Sequence, residues 1–169
     1  MITLHLLTED IAEELFQFEL DNRAFFETMV PSRGDDYYVF ENFYDKLTEL
    51  IQERVEKTAF MYIIRNESGQ LIGRINLVNA DAETKTAELG YRIGEHFGNQ
   101  GYATEAVHLI VQEAKQHQLQ SVYASTVTDN VRSQTVLTKN QFQLISREKE
   151  AVEWNGEKMD FLIFEYRCS

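Results

Sequence analysis

The sequence predicts an α/β domain built on a mixed, mostly antiparallel central sheet flanked by helices. Three observations predict it. The elements read in the order strand, two helices, three strands, helix, strand, helix, two strands. Two turn signals, Asn66-Glu67-Ser68-Gly69 and Asn155-Gly156, each join consecutive strands into a hairpin. No repeat, linker or low-complexity tract divides the 169 residues, which predicts one domain over residues 1–169.

Ile2 to Leu7 reads as the first strand. Thr8 is the expected N-cap of a helix with Glu9 and Asp10 in its first turn and an apolar stripe at Ile11, Ala12, Leu15, Phe16 and Phe18. Asp21 to Asp36 holds the only proline, Pro31, and is expected to be irregular. Phe40, Phe43, Tyr44, Leu47, Leu50 and Ile51 then mark a second amphipathic helix. Ala59 to Arg65, Gln70 to Val78 and Thr86 to Ile93 are the next strands. Ala103, Ala106, Val107, Ile110, Val111 and Ala114 recur at helical spacing up to about His117. Ser121 to Val127 is a strand whose apolar character suits burial on both faces. A short helix from Asn130 to Asn140 precedes strands at Phe142 to Val152 and Lys158 to Tyr166.

Composition narrows the function. The net charge of −12 lacks the basic face that nucleic-acid binding needs. No apolar run reaches membrane-spanning length, and the first residues read as a strand rather than a signal peptide. One cysteine, Cys168, fits a reducing cytoplasm and is read as a bystander. His5, His96, His108 and His117 fall in separate elements without metal-ligand spacing, so no metal is expected.

The chemistry concentrates in the run Gly98-Asn99-Gln100-Gly101-Tyr102-Ala103-Thr104, between a strand and a helix start. Such a turn leaves backbone N–H groups unpaired at the positive end of a helix dipole, where a phosphate or pyrophosphate binds. It is neither a Walker lysine loop nor a three-glycine dinucleotide fingerprint. Arg132 and Lys139 downstream are the nearest cations able to offset the acidic chain.

Ala87-Glu88-Leu89-Gly90-Tyr91 before this loop, Gly101-Tyr102-Ala103-Thr104-Glu105-Ala106 within it, Asn130 with Ser133 after it, and Asn155-Gly156 followed by Asp160 together resemble the GNAT family of acetyl-CoA-dependent N-acetyltransferases. The resemblance covers nearly the whole chain and is strongest to the bacterial ribosomal-protein N-terminal (alanine/serine) acetyltransferases. Four positions depart from the family pattern. The loop carries Gly98 and Asn99 where the family usually has Gln or Arg followed by Gly, Gln141 stands where a Gly is usual, and Leu137 replaces a common proton-donating Tyr.

The resemblance implies a GNAT-like sheet splayed around the acetyl-CoA site, and direct attack of an amine on the thioester without an acyl-enzyme. It also implies that Gly98, Asn99, Gln100, Gly101, Tyr102, Ala103 and Thr104 hold the pyrophosphate, with Lys139 nearby. A main-chain N–H among Tyr91, Arg92 and Ile93 would bond the thioester oxygen as charge develops there. Asn130 would bind the pantetheine arm or fix the splay, or simply cap a helix. Ser133 is the candidate donor to the departing thiolate, or an early-helix serine bonded to backbone. Glu88 is the first candidate base, and Asp160 the second candidate for handling the acceptor amine; either can equally be a structural carboxylate.

The acceptor is expected between the Asp21 to Asp36 segment and the Val152 to Lys158 hairpin, with Phe25, Phe26, Tyr37, Tyr38 and Trp154 as candidate walls. A protein N-terminal α-amine is the leading expectation, and an amine such as a polyamine, amino acid or antibiotic the alternative. A non-catalytic acyl-CoA-binding module is the third reading. An acidic chain suits a cationic acceptor.

Overall fold

The computed structural model describes residues 1–168. Strands β1 (Thr3–Leu6), β2 (Phe60–Arg65), β3 (Leu71–Asp81), β4 (Thr86–Ile93), β5 (Ser121–Val127), β6 (Gln143–Trp154) and β7 (Glu157–Arg167) form one sheet in the order β1-β2-β3-β4-β5-β7-β6. Only β4 and β5 run parallel; the other neighbours are antiparallel. The helices are α1 (Ala12–Asp21), α2 (Arg23–Glu27), α3 (Phe40–Val55), α4 (Tyr102–Gln116) and α5 (Val131–Lys139).

Side-chain alternation divides the core between the two sheet faces. On one face α4 packs through Ala106, Val107, Ile110, Val111 and Ala114 onto Tyr62, Ile75, Leu77, Leu89 and Val122. On the other, Leu15 and Phe18 of α1, Phe26 of α2, and Phe43 and Leu47 of α3 cover Met61 and Ile63. β2 is therefore buried on both sides, as its unbroken apolar run requires.

Several expectations change. Asp21 to Asp36 is not wholly irregular, because α2 and a turn of 3₁₀ helix at Asp35–Tyr38 form within it. Thr8 takes the N-cap position, but of the 3₁₀ turn Glu9–Ile11 that leads into α1, and its hydroxyl makes no capping bond and donates instead to the Asp10 carboxylate. β5 is not buried on both faces, since Val122, Ala124 and Thr126 are buried while Ser125 is exposed. Its second face opens beside the divergence of β4 and β5. The hairpin Asn155-Gly156 takes φ of 51° and 81°, the primed turn its sequence demands.

Candidate active site

The parallel ladder between β4 and β5 joins Thr86 to Ser121 and ends at Leu89 and Ala124. Gly90 to Ile93 remain paired to β3, and Ser125 to Val127 to β7, so the two segments diverge with their facing edges unpaired. Backbone groups left unpaired in this way must bond solvent or ligand. A groove of about 830 Å³ opens at the divergence, a size that suits a large small-molecule ligand.

One end of the groove is the glycine loop. Gly101 is the N-cap of α4 with φ 80°, and Asn99 takes φ 59°. The first helical bond runs from the Glu105 N–H to the Gly101 carbonyl at 3.0 Å, so the N–H groups of Tyr102, Ala103 and Thr104 have no partner within the helix. No atom lies within 4 Å of where a Cβ on Gly101 would sit. Gly98 has an ordinary extended backbone at φ −72°, so the shifted glycine leaves the left-handed positions to Asn99 and Gly101. The Arg132 guanidinium comes within 3.9 Å of the ideal Cβ position of Gly98, and Lys139 lines the same groove. Open space, free amides and two cations fit a pyrophosphate.

The centre is formed by α5 and β4. The Asn130 carboxamide oxygen accepts the Ser133 N–H at 3.0 Å, so Asn130 caps α5. Burial pushes the Tyr91 phenol's pKa up, and the neighbouring Ser133 side chain partly opposes that rise. Leu137 is buried in the core beneath, and Gln141 takes φ 67°, the conformation that explains a glycine there in relatives. Asn140 Nδ2 donates to the Thr104 carbonyl at 3.2 Å and ties the end of α5 to the first turn of α4.

Among the expected cofactor residues, Tyr91, Arg92, Ile93, Gly98, Asn99, Gly101, Tyr102, Ala103, Thr104, Asn130, Ser133 and Lys139 line the groove. Gln100 does not; its carboxamide turns back to donate to the His96 carbonyl at 3.2 Å.

The two expected carboxylates lie off the groove. Glu88 is exposed and accepts a hydrogen bond from the Asn79 carboxamide. Asp160 accepts from Arg147 Nε at 2.6 Å and from the Glu150 N–H at 2.9 Å. Those bonds hold its carboxyl below the usual range and brace the irregular pairing between Glu148 and Val152, where Glu150 takes φ 50°. The sequence reading missed Glu153 at the end of β6, an exposed residue and the one acidic residue lining the groove among the described residues. A strand glutamate beside a hairpin carries no local signal that separates it from its neighbours.

The far wall comes from Phe25, Phe26, Met29, Val30 and Pro31, facing Val152 and Trp154. Tyr37 and Tyr38 are not part of it: Tyr37 packs against Phe43, and Tyr38 lies 4.1 Å beneath the Arg23 guanidinium. Behind this wall Glu19, fully buried, accepts from Arg74 at 2.6 Å and from Arg92 at 3.4 Å. Among the described residues no cluster of His, Cys, Asp and Glu is arranged to hold a metal, and no helix is long and apolar enough to cross a membrane.

Comparison with known proteins agrees with this geometry. The probable N-acetyltransferase YjcK of Bacillus subtilis (strain 168) is 33% identical over 149 residues, 86% of this chain and 82% of that protein. The ribosomal-protein-S5-alanine acetyltransferase of Vibrio fischeri superposes with a TM-score of 0.89 at 18% identity, covering 98% of this chain and 92% of its own. RimL, a ribosomal L7/L12 α-N-protein acetyltransferase solved with coenzyme A, gives 0.87 at 22% identity, covering 98% and 93%. The acetyltransferase (GNAT) domain model matches residues 2–143. On the match of this domain model and the identity to YjcK, the chain belongs to the GNAT acetyltransferase family.

Proposed function

We propose that the acceptor is the N-terminal α-amine of a protein, most simply a ribosomal protein. The observation that carries this reading is the open groove between the Phe25 to Pro31 wall and the Trp154 hairpin, with Glu153 on its rim. The similarity in fold to ribosomal-protein acetyltransferases supports it. A ribosomal substrate implies a cytoplasmic enzyme.

Acetyl-CoA supplies the activated acyl group and a thiol leaving group. The amides of Tyr102, Ala103 and Thr104, with Arg132 and Lys139, bind the pyrophosphate. The unpaired main chain from Gly90 to Ile93 offers donors to the thioester oxygen, where negative charge develops. An α-amine has a pKa of about 7.7–8.0, so near neutrality part of it is already nucleophilic and a modest base suffices. Glu153 takes its proton directly or through water. Ser133, which lines the groove with Tyr91, donates to the departing thiolate. Alignment in the groove supplies most of the rate gain.

The test is a panel of peptides beginning with Ser or Ala, N-terminally blocked peptides carrying lysines, and spermidine. Acetylation at the α-amine of the first set alone is expected. Efficient acetylation of spermidine with no reaction on the peptides would sink the reading.

A further inference from the structure

Charge is distributed unequally across the acceptor end of the groove. Arg74 and Arg92 stand directly opposite one another in the β3–β4 ladder, on the face covered by α1 and α2. Like charges placed so repel each other. Glu19, fully buried on α1, is the single carboxylate between them. It is committed to Arg74, whose Nη1 donates to it at 2.6 Å and also to the Tyr37 hydroxyl at 3.2 Å.

Arg92 is held differently. Its only bond to Glu19 is the long one, 3.4 Å, and its guanidinium lies 4.9 Å over the Phe26 ring. It is partly exposed, and it lines the groove where Arg74 does not. Two other acids of this segment, Glu27 and Asp35, both accept from Arg23, at 2.8 and 2.6 Å. Arg33, over Tyr37 at 5.0 Å, adds a further positive charge nearby. Across the groove, the rim of β6 offers Glu153. One wall is thus cationic and the other carries a carboxylate, in a chain of net charge −12.

We infer that Arg92 binds a carboxylate on the acceptor, so that the substrate is an amine with an acidic group close to the reacting nitrogen. The inference rests on the acetyl-transfer reading of this groove and narrows it. For a protein acceptor, the N-terminus carries Asp or Glu as its second or third residue. The planar guanidinium fork pairs with a carboxylate in two parallel bonds, and the half-dry setting beside Phe26 strengthens them. The amine then points toward Glu153. An overall acidic surface repels such substrates at a distance, and the local cation reverses that preference at contact.

The experiment compares kcat/KM for peptides differing only in Asp against Asn, and Glu against Gln, at positions two and three. Free amino acids are compared with their amides alongside them. A preference for the acidic member of about tenfold is expected, as for a hydrogen-bonded charged pair, and it should weaken in high salt. Arg92→Gln should reduce the ratio to about one, and Arg92→Lys should restore it partly, because the charge returns without the fork. Thermal melts and acetyl-CoA calorimetry establish that each variant is folded and loaded. A preference confined to free amino acids over their amides supports the inference and moves the acceptor to small molecules. Equal rates on acidic and neutral members overturn it and leave acetyl transfer standing. An acid preference that survives in folded Arg92→Gln also overturns it. No transfer to any of these amines, by a folded protein that binds acetyl-CoA, overturns both readings.

Discussion

The carboxamide oxygen of Asn130 accepts the backbone N–H of Ser133 at 3.0 Å, and Ser133 lines the groove together with Tyr91 of β4. One capping bond therefore fixes the start of α5 and places Ser133 at the groove between β4 and β5. This arrangement bears on the position where relatives carry a proton-donating tyrosine. Here Leu137 is buried and apolar, and the hydroxyls come from the first turn of the helix and from the adjacent strand.

Ser133→Ala should lower turnover by about 10²-fold, the lower end of the range for a positioned acid, with acetyl-CoA affinity nearly unchanged. Tyr91→Phe should cost less alone, and the double variant should cost less than the product of the two, because neighbouring side chains couple. The check is thiol release under conditions where chemistry is rate-limiting. Unchanged turnover in Ser133→Ala would leave that residue as part of the helix start only.

Gly101→Asp should abolish measurable acetyl-CoA binding. Its φ of 80° strains any L side chain, and the space over its Cβ is open to the groove, so a carboxylate there occupies the anion site. Gly101→Ala separates the two effects: it carries the strain alone and should bind weakly. Calorimetry showing wild-type affinity in a folded Gly101→Asp variant would remove the loop from the cofactor site.

The parts legible in the sequence are those with local causes. Asn99 and Gly101 announce the loop because left-handed backbone favours those residue types, and Asn155-Gly156 announces its hairpin for the same reason. The strand divergence, by contrast, depends on pairing between segments some thirty residues apart, and only the family resemblance anticipated it. The carboxylates show the limit most clearly. Asp160 looked available but is consumed by Arg147 and by a bulge at Glu150, which no spacing rule predicts. Arg74 and Arg92 became partners of Glu19 only through the β3–β4 register and the docking of α1. Electrostatic sites of this kind are assembled from distant segments, so their residues look like ordinary surface charges until the fold is known.

His117 should give the fold an acid-side weakness. Its ring stacks on Phe60 at 3.8 Å, its Nε2 meets the Tyr62 hydroxyl at 3.2 Å, and Glu113 and Lys57 face it. Burial lowers its pKa, Lys57 adds to that effect, and Glu113 opposes it. The folded imidazole therefore refuses a proton that the unfolded chain accepts, with a reference pKa of about 6.5. This contribution to stability is fully present above that pH and is lost as pH falls from there toward the folded pKa. His117→Gln should consequently lose less stability than wild type between pH 7 and pH 5 in denaturant melts. Parallel losses in the two proteins would show that other groups set the acid limit.

Glu153→Gln distinguishes the base. The carboxylate on the groove rim is replaced by an isosteric amide, so binding geometry is preserved while proton acceptance is lost. At pH 7 only about a tenth of an α-amine of pKa near 8 is neutral, so loss of the base should cost about tenfold there. The deficit should shrink as pH rises past the amine's own pKa, because the nucleophile then arrives deprotonated, and should be nearly gone by about pH 9. Glu88→Gln, altering an exposed carboxylate held by Asn79 outside the groove, should leave the profile unchanged. A pH-dependent deficit in Glu88→Gln with none in Glu153→Gln would return the proton-accepting role to β4.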